Sequence, residues 1–187
     1  MSGLTIAMIG TRGVPAAYGG FETAVEEIGA RLCERGHSVT VYCRRSSDEQ
    51  RHEWRGMRLV HAPAIRIKQA ETLSHTALSV AHLALDRARR PDVAFVFNAA
   101  NAPFVPLLQS LRVPVAVHVD GLEWKRGKWG GAGRRYYQWA EAHAVRHADA
   151  LIADARGISD YYRARYSAAT CTASSGKRPS VFANRAS

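Results

Sequence analysis

Apolar residues fall into two rhythms along this chain, short unbroken runs and longer stretches at helical spacing, and the two alternate as far as residue 166. Leu4-Thr5-Ile6-Ala7-Met8-Ile9 is the first run and reads as a buried strand. Phe21, Ala24, Val25, Ile28 and Leu32 then recur at helical spacing, with Glu22, Glu26 and Glu27 on the other side, which predicts a helix packed on a sheet. It stops at Glu34-Arg35-Gly36-His37, where Gly36 suits a left-handed cap, and Val39–Cys43 follows as a second strand. Gly56–His61 predicts a third, more exposed strand, and Leu73, Ala77, Val80, Ala81 and Ala84 mark a long helix ending before Pro91. Val93–Phe97 is a continuous apolar run of the kind covered on both faces, and Val113–Val119 is another, with Pro114 at its beginning. Arg134–His147 reads as a helix, Ala150–Ala153 as a strand, and Gly157–Tyr166 as a last helix capped by Asp154.

Strands alternating with helices predict an α/β fold, one doubly wound parallel sheet with right-handed crossovers, whose ligands bind beyond the strand C-termini. Three loops that follow strand ends, Gly10 to Gly20, Asn98 to Asn101 and His118 to Trp129, are expected to converge there. The pattern places one domain at residues 1–166. Residues 167–187 lack apolar periodicity and are expected to form an irregular, disordered tail without a strand.

The first loop carries the clearest chemistry. A strand that ends in glycine and reopens into a helix puts bare N–H groups and a positive helix terminus where anions bind. Gly10-x-x-Gly13 followed by Gly19-Gly20 is not the Gly-x-Gly-x-x-Gly of dinucleotide binders. The second strand runs into Arg44-Arg45 where an acid would hold an adenosine ribose, which disfavours NAD and leaves NADP as a lesser alternative. No Gly-Lys-Ser/Thr is present, so a P-loop is excluded. A tight turn without a ligand is the plain alternative.

Composition narrows the class. A chain of 187 residues, 47% hydrophobic and 22% charged, suits one soluble globular domain. It has no apolar run near the roughly 18 residues that span a bilayer and no signal-peptide pattern, so a cytoplasmic location is expected. Cys33, Cys43 and Cys171 are odd in number and lack Cys-x-x-Cys spacing, which disfavours a metal site or a disulfide framework. The net charge of +10 fits nucleic acid, an anionic membrane surface or a phosphorylated substrate.

The densest group of chemically capable residues is His118-Val119-Asp120-Gly121-Leu122-Glu123-Trp124-Lys125-Arg126-Gly127-Lys128-Trp129. Strand alternation puts His118 and Asp120 on one side, where they suit orientation of a sugar hydroxyl or proton transfer. The plain alternative makes His118 a core histidine and Asp120 the cap of a turn at Gly121; Glu123 beside Lys125 and Arg126 reads equally as a surface ion pair. Trp124, Trp129, Tyr136, Tyr137 and Trp139 among basic residues suit a membrane interface or a lipid-linked substrate ahead of nucleic acid, for which no recognition motif is present. Packing is the competing account, since Tyr137, Ala140 and Ala144 share a helix face.

Gly10-Thr11-Arg12-Gly13-Val14-Pro15 with Tyr18-Gly19-Gly20-Phe21-Glu22-Thr23, Asn98-Ala99-Ala100-Asn101-Ala102-Pro103, and Val119-Asp120-Gly121-Leu122-Glu123-Trp124-Lys125-Arg126 together resemble the N-terminal half of GT-B retaining glycosyltransferases of the rhamnosyltransferase-like, family-four type. The resemblance runs from Leu4 to Tyr166 and implies a Rossmann-like domain forming one half of a GT-B architecture. It implies a nucleotide-sugar donor, a saccharide or lipid-linked acceptor, and no metal or other cofactor. Residue by residue, it implies that Gly19 and Gly20 approach the donor diphosphate and that Arg12 and Lys125 neutralise phosphate. His118 and Asp120 become the catalytic candidates, with Asn98, Asn101, Glu123, Lys125 and Arg126 on the acceptor side.

A full enzyme of that type adds a second Rossmann-like domain with a Glu-x7-Glu motif. Glu26 and Glu34 have the spacing but lie on the first helix, a chance match. A truncated or frame-altered transferase half, inactive alone, is the expectation. The alternative is a non-catalytic module that holds a lipid-linked acceptor or a partner transferase, with peripheral membrane contact.

Overall fold

The computed structural model describes residues 3–16, 20–45, 51–65, 71–119 and 130–172. Its sheet has the strand order β3-β4-β2-β1-β5-β6-β7-β8. The strands are β1 (Thr5–Ile9), β2 (Ser38–Arg44), β3 (Glu53–Trp54), β4 (Met57–Ala62), β5 (Val93–Phe97), β6 (Val115–Val119), β7 (Ala150–Ala153) and β8 (Cys171–Thr172). All pairs are parallel except the β3–β4 hairpin. The chain winds outward from β1 through β2 and β4, returns to β5 on the other side, and winds out again to β8. The expected doubly wound α/β sheet is therefore present.

The continuous apolar runs follow from this central placement. Along β1, Ile6 and Met8 enter one core with Val25, Val39, Val41 and Met57, while Ala7 and Ile9 enter the other with Tyr42, Val80 and Leu83. Helix α1 (Gly20–Glu34) covers the first face and α2 (Glu71–Leu85) the second. The remaining helices are α3 (Val105–Ser110), α4 (Gly131–His147) and α5 (Arg156–Tyr166). Helix α1 ends as expected at Gly36, whose φ is +84°: His37 N–H donates to Leu32 O at 3.1 Å and Gly36 N–H to Cys33 O at 2.9 Å, the paired bonds of a Schellman cap.

Two aspartates begin strands in the same way. Asp92, before β5, accepts from Thr5 N–H at 2.7 Å and returns its own N–H to Thr5 O; Asp149, before β7, does the same with Val115 of β6 at 2.9 Å. Each carboxylate satisfies the first N–H of a neighbouring strand, which fixes register at the N-terminal edge of the sheet.

Four expectations are corrected. The segment after β5 is not a plain loop but a 3-10 turn (Ala99–Phe104) leading into α3; Pro103 and Pro106 interrupt the apolar spacing that would have signalled it. The hairpin strand β3 is additional, joined to β4 by a two-residue turn in which Arg55 (φ 49°) and Gly56 (φ 78°) both have positive φ, as a hairpin twist requires. Asp154 does not cap α5, which opens at Ala155 with no side-chain cap bond. A strand does follow Tyr166: β8 pairs with β7 in the register Ile152↔Cys171 and Ala153↔Thr172, so the sheet extends into the stretch read as tail. Among the described residues no helix is long and apolar enough to cross a membrane.

Glu141 of α4 is 1% exposed and accepts from Tyr161 Oη at 3.0 Å and Tyr166 Oη at 3.2 Å, joining α4 to α5. Glu141→Ala strands two phenols and opens a void, and is expected to lower unfolding free energy by roughly 2–4 kcal/mol in urea titrations. Gly36→Ala meets open space but retains the left-handed backbone. Its expected loss is smaller, about 1–2 kcal/mol, measured the same way.

Candidate functional site

The strand order reverses between β1 and β5, and the crevice of a doubly wound sheet opens at that point beyond the strand C-termini. Gly10 (φ +90°) ends β1 here. A Cβ on it would lie 2.6 Å from Phe97 O and 2.7 Å from Asn101 Nδ2, so only a bare backbone lets the two loops meet. Asn101 is fully buried, its Nδ2 donating to Phe97 O at 2.8 Å. Asn98, at φ 69°, turns the chain and accepts from Ala100 N–H at 2.8 Å through Oδ1, capping the 3-10 turn. Each asparagine side chain bonds the main chain of a nearby residue, Ala100 for Asn98 and Phe97 for Asn101, and so shapes the rim.

Beside this rim three rings form a near-equilateral group. Phe21 in the first turn of α1, Phe97 at the end of β5 and His118 in β6 have centroids 5.4–5.8 Å apart. His118 is 8% exposed, and its Nε2 lies 2.5 Å from Asp154 Oδ1 just past the end of β7. An ionised carboxylate only accepts, so Nε2–H donates and the other ring nitrogen is left for a different partner. That Nδ1 is buried and has no hydrogen-bond partner among the described residues; the same holds for Thr11 Oγ1 and Asn101 Oδ1 nearby in the loops. The site thus combines an oriented imidazole with buried polar atoms that have no partner among the described residues.

The glycine-rich loop is braced from α1. Glu26 Oε2 accepts from Ala16 N–H at 2.8 Å, while Oε1 accepts from Trp54 Nε1 at 2.9 Å and lies 3.4 Å from Arg55 Nη1. Burial raises the Glu26 carboxyl, but the bonds from Trp54, Ala16 and Arg55 outweigh it and hold the group below the ordinary glutamate value. The β3–β4 hairpin is therefore tied through one carboxylate to the loop at the crevice. Arg12 is exposed, and among the described residues its ion-pair partner is Glu22 at 3.9 Å. Arg44, the residue behind the NADP alternative, is committed instead to the first turn of α2 through Glu71 at 3.2 Å and Thr72 Oγ1 at 2.9 Å.

The structure thus brings Arg12, Gly20, Asn98, Asn101 and His118 to one end of the sheet. Gly19, Asp120, Glu123, Lys125 and Arg126 lie outside the described residues, as do Trp124 and Trp129. Among the aromatics, Tyr137 is buried and Tyr136 Oη donates to Ala100 O at 2.7 Å, with burial pushing its phenol up to about 12, so these two pack rather than face outward. Trp139 is 51% exposed and stacks on His143 at 5.1 Å. Among the described residues no three metal-ligating side chains come together.

Sequence reasoning missed Asp154 as the partner of His118, having assigned it to a helix cap, and missed the brace at Glu26. A signal for the first was present: Asp154 directly follows the end of β7, the strand next to the one that carries His118.

Residues 4–175 match the family model described as Domain of unknown function (DUF1972). None of the curated proteins matches significantly. Among solved structures, a sucrose-phosphate synthase from Thermosynechococcus elongatus superposes with a TM-score of 0.60 at 14% identity, over 90% of this chain and 85% of that one. UGT89C1 of Arabidopsis thaliana, complexed with UDP-L-rhamnose, gives 0.55 at 10% identity over 88% of this chain and 46% of its own. UGT2 of Phytolacca americana, complexed with UDP-2fluoro-glucose and pterostilbene, gives 0.54 at 10% identity over 82% and 48%. The chain spans about half the length of these plant transferases. The chain belongs to the DUF1972 family, and its fold is the Rossmann-like α/β fold of GT-B glycosyltransferases.

Proposed function

We propose that this chain is the acceptor-side half of a nucleotide-sugar-dependent glycosyltransferase that moves a hexosyl group, rhamnosyl included, to a saccharide or lipid-linked acceptor. The observation that carries the reading is the His118–Asp154 pair set beside the β1–β5 switch point, in a fold shared with transferases whose structures hold UDP-sugars. In this reading His118, oriented by Asp154, positions the acceptor hydroxyl, and Asp120 shares that task. The hydroxyl attacks the anomeric carbon on the face from which the nucleoside diphosphate departs; the breaking bond leaves its electron pair on the diphosphate oxygen, which takes up the hydroxyl proton. Arg12 with the backbone at Gly19 and Gly20 stabilises that developing charge. Glu123, Lys125 and Arg126 contact the acceptor, whereas Asn98 and Asn101 act by shaping the rim. No metal or other cofactor enters the scheme. A second Rossmann-like half would supply the nucleotide pocket, and the cytoplasmic face of a membrane is the place where a lipid-linked acceptor would be met.

Titration of the labelled chain with saccharide and glycolipid acceptors is expected to shift amide resonances of Gly10, Phe97, Asn101 and His118, with little response to UDP alone. Shifts that avoid these residues altogether, or robust sugar transfer by this chain alone from any nucleotide sugar, would overturn the assignment as an acceptor-side half.

Asp154→Asn is expected to keep the fold but release the imidazole. The nitrogen shifts of the His118 ring should move from a single Nε2-protonated tautomer to a mixture, and acceptor affinity should fall about tenfold. An unchanged tautomer and unchanged affinity would remove Asp154 from the scheme.

A further inference from the structure

At the opposite end of the sheet from the crevice lies a cavity of about 410 Å³. Its walls come from the first residues of β1 and β2, from β4, and from the chain between α2 and β5. This volume is in the range of small-molecule sites and exceeds what a lone inorganic anion needs. The floor is apolar at Ala7 and Leu83, which belong to the core on the α2 side of the sheet. Thr5, Ser38 and Thr40 add hydroxyl-bearing side chains, and the Tyr42 phenol, 3.3 Å from His82 Nδ1, adds another.

Its charge is unbalanced. Among the described residues that line the cavity, Arg58, Arg89 and Arg90 outnumber the one carboxylate, Asp86. The same Asp86 oxygen lies 4.0 Å from Arg58 Nη1 and 3.8 Å from Arg89 Nη1, both beyond hydrogen-bonding distance. One carboxylate cannot neutralise the guanidiniums around it, and their forked donors remain unspent toward it. The strand-opening N–H groups of Thr5 and Ser38 are already taken, by Asp92 and by Leu4 O. The arginine side chains supply the remaining charge, and planar guanidiniums match phosphoryl oxygens.

We propose that this cavity is a second ligand site, binding a phosphoryl group on a small hydroxylated body, with Arg58, Arg89 and Arg90 on the phosphoryl oxygens and the body against Thr5, Ser38, Thr40 and Tyr42. The proposal is independent of the transferase reading, because the cavity lies at the strand N-termini and shares no residue with the crevice. Two sources carry this chemistry, a soluble sugar phosphate and a phosphoglycerol lipid headgroup.

Amide spectra of the labelled chain with glucose 1-phosphate test it. Saturable shifts are expected at Thr5, Ser38, Thr40 and Arg58. Arg58→Gln with Arg89→Gln should weaken binding at least about tenfold. Arg31→Gln with Arg163→Gln removes the same charge from exposed positions elsewhere and should leave binding unchanged. Asp86→Asn should tighten it about threefold, a direction that loss of folding cannot mimic. Co-sedimentation with phosphatidylcholine vesicles containing phosphatidylglycerol, competed by glucose 1-phosphate and lost in the first double variant, assigns the headgroup source. Saturable glucose 1-phosphate binding without co-sedimentation assigns the soluble one. Shifts linear in concentration, equal weakening in the control variant, or shifts confined to Gly10, Phe97 and Asn101 would overturn the proposal.

Discussion

The meeting of two loops at Gly10 is the constraint on which the rest of the site depends. With β1 and β5 adjacent and parallel, their outgoing loops must part in opposite directions, and the space between them becomes the crevice. Gly10 lets the backbone of β1 press against Phe97 O, and Asn101 locks that contact from below. Moving these loops apart would displace Phe97, and with it the ring group that seats His118. The imidazole is thus placed by packing on one side and by the Asp154 carboxylate on the other.

Acids are scarce in this chain, 16 against 26 lysines and arginines, and the described ones are largely spent on structure. Asp92 and Asp149 begin strands, Glu26 braces the glycine loop, Glu141 ties α4 to α5, Asp154 holds His118, and Glu71 holds Arg44. Arginines elsewhere are left with distant or shared carboxylates, as Arg12 is with Glu22 and Arg58 and Arg89 are with Asp86. The net charge of +10 is therefore not a uniform coat. Part of it is exposed donor capacity at two ends of one sheet.

Much of this was legible along the chain because the sheet is buried on both faces. β1, β2, β5 and β7 announce themselves as apolar runs, and Gly36 as a helix stop, because burial and positive φ leave few residue choices. What resisted reading depended on neighbours distant in sequence. Asp154 looks like a helix cap in one dimension and becomes the partner of His118 only when β7 lies beside β6. Glu26 seemed merely one of several acids on the polar side of α1, yet its two oxygens join the loop before it to a hairpin after it. The short β8 was invisible because two residues carry no periodicity.

The two ends of the sheet differ in how they can recognise an anion. At the C-terminal end, α1 opens with Gly20, and its helix dipole supplies positive potential without side chains. At the N-terminal end the strand-opening N–H groups are already consumed by Asp92, Asp149 and Leu4 O. An anion that settles there meets side chains instead, Arg58, Arg89 and Arg90 at that edge. Backbone recognition tolerates substitution of the surrounding side chains, whereas guanidinium recognition depends on each one. The crevice is therefore governed mainly by where glycine permits the chain to go, and the opposite cavity by which arginines flank Asp86.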